Sequence, residues 1–155
     1  RPEWVRVDGE LPPAPFVIAG VHSGHWEMAA AALALRVPLT VLVRDHEDAR
    51  LLRFREETRA RFGIETVVRR GPVFPRLLSS LRRGRAIALL VDRDPGGIRG
   101  AAVLAKRASV PLLSGRIAAL PRGRYRLRLD GSCDEGELGR RVELYRQAGD
   151  FLPPP

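Results

Sequence analysis

Short runs of β-branched and apolar residues alternate along this chain with longer segments in which apolar residues recur every three or four positions. Glycine and proline separate the two kinds of segment, a pattern typical of alternating strands and helices. We therefore predict an α/β fold. The predicted strands are Phe16–Val21, Leu39–Val43, Ile64–Val68, Ala86–Val91, Leu112–Ile117 and Arg124–Leu129. The predicted helices are His25–Arg36, Glu47–Phe62, Val73–Arg83, Gly100–Ala108 and Glu135–Ala148.

The connections between the first predicted strands each contain a helix. Parallel neighbours need such a crossover, whereas antiparallel neighbours can be joined by a tight turn. We expect a single domain built on a central sheet, largely parallel or mixed, with helices on its faces. In the second helix, apolar residues at intervals of three and four predict a face directed to the core, with arginine and glutamate towards solvent. That predicted face comprises Leu51, Leu52, Phe54, Thr58 and Phe62.

Length and composition agree with one domain over residues 1–155. The chain has 155 residues, 45% hydrophobic and 29% charged, and residues 151–155 are expected to form a frayed tail. Its longest apolar run, Met28–Leu35, is far shorter than the roughly 20 residues of a membrane-spanning helix. Because the first residue is Arg1, we expect an amino-terminal piece, such as an anchor, to have been removed or omitted. The lone Cys133 cannot form a disulfide within the chain, which favours a cytoplasmic location.

The net charge of +9 comes almost entirely from arginine, since Lys106 is the sole lysine. The excess is concentrated between residues 76 and 107, where eight basic side chains face two acidic ones. Such a charge distribution attracts anionic lipid headgroups, acidic carrier proteins or nucleic acid. Nucleic acid is the least expected partner, because few aromatic residues are available for base stacking and no binding motif is recognised.

Three predicted strands are followed by polar side chains of complementary type, His22, Arg44 and Asp92. Ligands of open parallel sheets bind outside the carboxyl ends of the strands. If these strands run parallel, a base, a cation and a carboxylate lie along one edge of the sheet.

The segment from Val21 to Glu27 contains the sharpest local feature. Five residues within one helix correspond to about 140° around its axis, so His22 and Glu27 can meet only if a turn intervenes, and Gly24 permits one. A glutamate in the first helical turn could then fix the imidazole tautomer, as a general base requires. In the plainer interpretation, Glu27 complements the helix dipole and His22 is a polar strand end.

The block from Gly20 to Glu27 resembles the His-x-x-x-x-Glu/Asp block of glycerolipid-type acyltransferases. It is most similar to the late acyltransferases of lipid A biosynthesis and the related phosphatidylinositol mannoside acyltransferase. The resemblance extends in order over roughly residues 15 to 130, although the stretch after Asp94 is shorter than in those relatives. The further motifs that carry it are Val-Leu-Val-Arg44, Arg59-Ala-Arg61-Phe-Gly63, Leu81-Arg-Arg-Gly84, Ala-Leu-Leu-Val-Asp92-Arg-Asp94, Leu104-Ala-Lys-Arg-Ala-Ser-Val-Pro-Leu and Tyr125-Arg-Leu.

The resemblance implies transfer of a fatty acyl chain from an acyl-carrier or CoA thioester to a hydroxyl of a glycolipid or phospholipid. It implies that His22 is the general base and Glu27 its partner, and that Arg61 and Asp92 lie near the substrate. We add Arg44 and Trp26 as expected substrate contacts. No cofactor other than the thioester donor and no metal are expected, and the enzyme would work peripherally at the inner face of the cytoplasmic membrane.

Two other classes remain open from the sequence. The arginine excess is compatible with a non-catalytic module that binds anionic lipid or nucleic acid. The sequence Asp92-Arg-Asp94 after a strand also resembles the Asp-x-Asp element with which glycosyltransferases hold Mg²⁺ and a nucleotide-sugar.

Overall fold

A computed structural model describes residues 4–23, 25–45 and 48–149. Within these residues the chain forms seven strands and five helices. The strands are β1 (Val5–Asp8), β2 (Val17–Gly20), β3 (Leu39–Val43), β4 (Glu65–Val68), β5 (Ala86–Leu90), β6 (Leu112–Leu120) and β7 (Arg124–Ser132). The helices are α1 (Trp26–Ala34), α2 (Ala49–Ala60), α3 (Val73–Arg82), α4 (Gly97–Ala108) and α5 (Glu135–Ala148).

The strands form one sheet in the order β1-β7-β6-β2-β5-β3-β4. Every neighbouring pair is parallel except β6 and β7, which are antiparallel and joined by a short 3₁₀ turn at Pro121–Gly123. This arrangement confirms the predicted α/β fold with a largely parallel sheet. The central strands β2 and β5 lie side by side with Gly20 opposite Leu90, so their carboxyl ends meet at one edge.

The predicted boundaries differ from the structure in several places. Strand β1 was not predicted, because its four residues carry only two apolar positions; it pairs in parallel with β7 at the sheet edge. Helix α4 begins at Gly97 instead of Gly100. The predicted bend at Gly24, the start of the second helix at Glu47 and the frayed tail at 151–155 lie outside the described residues.

The apolar core has two parts, one on each face of the sheet. Successive strand residues point to opposite faces, so Val17 and Ile18 belong to different clusters. Helix α1 packs on the Ile18 face with Ala30 and Leu33, whereas α3, α4 and α5 cover the Val17 face. Strands buried on both sides explain why the central runs read as continuously apolar.

The prediction for the core face of α2 is wrong for most of its residues. Leu52 and Arg59 are the buried residues of this helix, while Phe54 and Phe62 are exposed. Leu52 and Arg59 are seven residues apart, which is about two helical turns, so they share a side. The sequence pattern indicated an amphipathic helix but not which side faces the protein.

A close approach of backbone fixes the start of α4 against β5. A Cβ atom added to Gly97 would lie 2.8 Å from the carbonyl oxygen of Val91. Glycine is therefore needed where the helix begins beside the end of the strand. This contact places the first turn of α4 at the edge of the sheet that carries Asp92.

No helix within the described ranges is long and apolar enough to cross a lipid bilayer.

Candidate active site

The carboxyl edge of the sheet brings together two of the polar residues that follow its strands. His22 comes two residues after β2, and Asp92 comes two residues after β5. One carboxylate oxygen of Asp92, Oδ1, lies 2.8 Å from Nδ1 of His22 and 2.9 Å from the backbone nitrogen of the same residue. The pairing joins residues 70 positions apart in the sequence. It follows directly from the parallel neighbours β2 and β5.

The charge on Asp92 determines which imidazole nitrogen can act as a base. Burial by itself would raise the pKa of Asp92, but hydrogen bonds from the ring and the backbone N–H of His22 outweigh it and hold that pKa below its ordinary value. An ionised carboxylate only accepts hydrogen bonds, so neutral His22 must carry its hydrogen on Nδ1. The lone pair is then on Nε2, which has no hydrogen-bond partner among the described residues. This is the tautomer that a general base requires.

Glu27 has a different partner from the one predicted. Its two carboxylate oxygens accept hydrogen bonds from Nε of Arg59, at 3.1 Å, and from Nη2 of the same side chain. The predicted contact between Glu27 and His22 is therefore corrected: Asp92 occupies the Nδ1 side of His22, and Glu27 joins α1 to α2. The resemblance places Asp92 near the substrate, and in the structure Asp92 is hydrogen-bonded to His22.

Arg59 lies at the centre of a cluster with Glu27 and Trp26. It is 5% exposed, and its guanidinium lies over the Trp26 ring, with 5.2 Å from its central carbon to the ring centroid. The salt bridge with Glu27 holds the guanidinium, and the cation–π contact holds the indole against that guanidinium. Nη1 of Arg59 is buried and has no hydrogen-bond partner among the residues that the structure describes. The cluster therefore holds Trp26 in place, and Trp26 lines the same cavity as His22.

A cavity of 440 Å³ adjoins His22 at the carboxyl edge of the sheet. His22, Trp26 and Arg44 contribute to its lining together with Leu52 and Arg55 of α2. Most of the remaining wall is apolar. It is formed by side chains of α3 and α4 and of the strands beneath them. This part includes Leu42, Val73, Phe74, Leu77, Leu89, Ala101 and Leu104. A volume in this range is typical of sites that bind a small molecule or a cofactor.

Arginines give the same cavity a positive rim. Arg44, Arg55 and Arg93 line it and are exposed, and none forms a salt bridge within the described residues. The acidic residues at the rim are paired: Asp94 accepts a hydrogen bond from Arg69 at 2.7 Å, and Asp45 is bound by Arg70. The hydrogen bond from Arg69 holds the pKa of Asp94 below its ordinary value. The rim therefore offers cations to an anionic ligand.

The sequence matches one known family of bacterial enzymes. Residues 11–107, more than half of the chain, match the bacterial lipid A biosynthesis acyltransferases. The chain belongs to this family. A comparison with curated proteins gives no match. Acyl transfer is thus the general activity that the family match supports for this acyltransferase.

The remaining predicted substrate residue, Arg61, lies away from the cavity of the acyltransferase. It is exposed at the carboxyl end of α2 and is not part of the cavity lining. Arg59, two residues earlier in the same motif, is the buried arginine of this segment. Its place could have been found from the helical period, because it falls two turns after Leu52. The apolar walls from α3 and α4 were missed, since their residues read as ordinary core.

The glycosyltransferase alternative fits this geometry poorly. Asp92 is bonded to His22 and Asp94 to Arg69, so the two carboxylates have different partners. A shared divalent cation would need several of their oxygen atoms as ligands at once. The two carboxylates are instead engaged in orienting the imidazole and in pairing with a rim arginine.

Proposed function

We propose that this acyltransferase moves a fatty acyl chain from an acyl-carrier or CoA thioester to a hydroxyl group of a glycolipid or phospholipid. His22 is the general base and Asp92 is its partner. The observation that carries the proposal is the double hydrogen bond from His22 to one oxygen of Asp92 beside a largely apolar cavity. No further cofactor is required, because the thioester supplies the activated acyl group.

The proposed reaction begins with proton removal by Nε2 of His22. The acceptor oxygen then forms a bond to the thioester carbonyl carbon, and the proton is held on the imidazolium. Asp92 stabilises that positive charge, as a carboxylate does beside the base of other acyl-transfer enzymes. General-base assistance of this kind typically contributes about 10² to 10⁴ in rate.

Breakdown of the tetrahedral intermediate completes the transfer. The carbon–sulfur bond breaks and the sulfur leaves as a thiolate, which is a good leaving group because a thiol ionises near pH 8.5. The proton on His22 is afterwards returned to the thiolate or to solvent. One base is therefore sufficient for the whole cycle.

The cavity and its rim supply places for the two substrates. We propose that the apolar walls between α3 and α4 take the acyl chain, because hydrocarbon surface is removed from water there. Arg44, Arg55 and Arg93 are placed to contact the phosphate of a carrier or CoA arm or of a lipid headgroup. We propose that Trp26, which Arg59 holds in place, contacts the bound acyl chain or acceptor from the cavity wall.

We also propose that the enzyme works in the cytoplasm as a peripheral protein at the inner face of the cytoplasmic membrane. The net charge of +9 supports contact with the anionic lipids of that face. The same positive charge would attract an acidic carrier protein.

The proposal is tested by following thioester consumption together with the appearance of acylated lipid. A radiolabelled acyl-carrier thioester and phospholipid or glycolipid acceptors in mixed micelles would be given to the full chain. We expect turnover by the parent protein and loss of at least 10²-fold in His22→Ala. His25→Ala is the matched control, since His25 lies in the same segment but packs on Tyr125.

Two outcomes would contradict the proposal. If a folded His22→Ala variant keeps the parent rate with every acceptor that the parent uses, His22 is not the base. If the parent consumes no thioester with any acceptor, acyl transfer by this chain is itself wrong.

A further inference from the structure

Helix α2 presents aromatic side chains to solvent. Phe54 is 66% exposed and Phe62, just after the helix, is 50% exposed. Phe54 lies two residues from the buried Leu52, about 160° around the helix axis from it. Leu51 lies one turn before Phe54 and is half-buried. We call Leu51, Phe54 and Phe62 the α2 apolar stripe.

Arginines accompany the α2 apolar stripe. Residues 49–62 contain five arginines and two glutamates. Arg53 is paired with Glu57 at 2.9 Å, and Arg59 is buried against Glu27. Arg50 and Arg61 are exposed and form no salt bridge within the described ranges. A helix that combines exposed phenylalanine with surrounding arginine has the composition of helices that lie in the headgroup region of a membrane.

We infer that the α2 apolar stripe docks the enzyme on an anionic lipid surface, with α2 lying along that surface. The apolar side chains would enter the boundary between headgroups and acyl chains, while Arg50 and Arg61 contact lipid phosphates. Charge favours this occupant over a second copy of the chain. A two-fold symmetric dimer through the stripe would bring the same unpaired arginines together, whereas anionic lipid neutralises them.

Docking through α2 also brings the cavity to the lipid surface. Leu52 and Arg55 of α2 line the cavity that contains His22. A lipid acceptor could then reach the imidazole without leaving the interface. This consequence rests on the proposed acyl transfer, but binding of α2 to the lipid surface does not.

Vesicle sedimentation with the full chain tests the inference. The vesicles are phosphatidylcholine alone, or phosphatidylcholine with about one third phosphatidylglycerol. We expect binding to the anionic vesicles that weakens at high salt, because screening reduces the attraction of exposed charges. Phe54→Ser should weaken that binding about tenfold, and Arg50→Gln with Arg61→Gln by a comparable factor.

The control lies on α5, which packs on the face of the sheet opposite α1. Leu144 is 61% exposed and Arg140 is exposed. Leu144→Ser is therefore the control for Phe54→Ser, and Arg140→Gln is the control for Arg50→Gln or Arg61→Gln alone; both should leave binding unaltered. Equal loss in the α5 and α2 variants would overturn the inference, because binding would then depend only on general charge and apolar surface. So would a dimer of the parent chain that Phe54→Ser dissociates without changing vesicle binding.

A second assay separates this inference from the proposed function. Acyl transfer to a water-soluble alcohol, with no lipid surface present, should proceed equally in the parent and in Phe54→Ser. Intact vesicle binding by a chain without acyl transfer would refute the proposed function alone. Acyl transfer by a chain that does not bind the vesicles would refute the docking inference alone.

Discussion

Asp92 holds His22 at two points, since the same carboxylate oxygen accepts from the imidazole Nδ1 at 2.8 Å and from the His22 backbone nitrogen at 2.9 Å. The backbone contact fixes the loop after β2, and the ring contact fixes the direction of the imidazole. Both depend on the parallel pairing of β2 and β5. The relationship therefore belongs to the fold as much as to the site.

The hydrogen bond to Asp92 predicts the tautomer of His22. Neutral His22 should carry its hydrogen on Nδ1, because the ionised Asp92 accepts a hydrogen bond there. Nitrogen NMR of histidine-labelled protein at neutral pH would distinguish the two forms. Asp92→Asn should release the preference, whereas Glu27→Gln should not. An Nε2–H form in the parent protein would disprove the pairing in solution.

Acid stability should depend on Asp92. Because its pKa is lower in the folded chain than its ordinary value of 3.8, the unfolded chain binds a proton first as the pH falls. The stabilisation is therefore complete well above that ordinary value and is lost as the pH falls through the folded pKa. In urea titrations, the free energy of unfolding should fall less between pH 6 and pH 3 in Asp92→Asn than in the parent. An equal fall in the free energy of unfolding in both proteins would mean that the hydrogen bonds with His22 do not stabilise the charged form of Asp92.

Removing the charge of Glu27 should lower the stability of the folded chain and have little effect on His22 as the general base. Glu27→Gln leaves the buried guanidinium of Arg59 without its ion-pair partner. We expect a loss of about 1–2 kcal/mol in the free energy of unfolding, less than for a fully buried pair because Glu27 is 47% exposed. Urea titration measures it, with Glu57→Gln as the control because the Arg53–Glu57 pair is exposed. Equal costs in the two variants would contradict a structural role for the Glu27–Arg59 pair.

The start of α4 offers a matched pair of glycine substitutions. Gly97→Ala should destabilise the protein by about 1–3 kcal/mol, because the new Cβ would meet the Val91 carbonyl oxygen at 2.8 Å. Gly100→Ala, three residues later, points into open space and should stabilise the helix by about 0.4–1 kcal/mol. Thermal unfolding of both variants checks the difference in sign. A Gly97→Ala protein as stable as the parent would show that the helix does not approach the strand so closely.

The acyl-chain role of the cavity can be tested by narrowing it. Val73 lines the cavity on α3, so Val73→Phe should lower turnover of the longest acyl donors about tenfold while sparing short ones. Val103→Phe makes the same chemical change at an exposed position of α4 outside the cavity lining and should alter neither. Turnover measured over a series of donor chain lengths gives the comparison. A uniform fall at all lengths would argue against chain binding there.

The sequence predicted the fold more completely than the site. Strand runs, glycine and proline positions and crossover helices were sufficient for a largely parallel sheet, and strand ends pointed to His22, Arg44 and Asp92. Which carboxylate meets His22 depends on the strand order, because β2 and β5 are neighbours although α1, β3, α2, β4 and α3 separate them along the chain. The nearer Glu27 was the natural expectation from sequence distance. Only the three-dimensional structure shows that Glu27 pairs with Arg59.

The most direct test of the central claim compares two conservative variants in one turnover assay. Asp92→Asn and Glu27→Gln each replace a carboxylate by an amide of the same shape. If Asp92 orients and stabilises His22, its substitution should lower kcat about 10²-fold or more, while Glu27→Gln retains most of the parent kcat after correction for folded protein. A Glu27→Gln protein that loses as much activity as Asp92→Asn, or an Asp92→Asn protein with the parent kcat, would contradict this assignment.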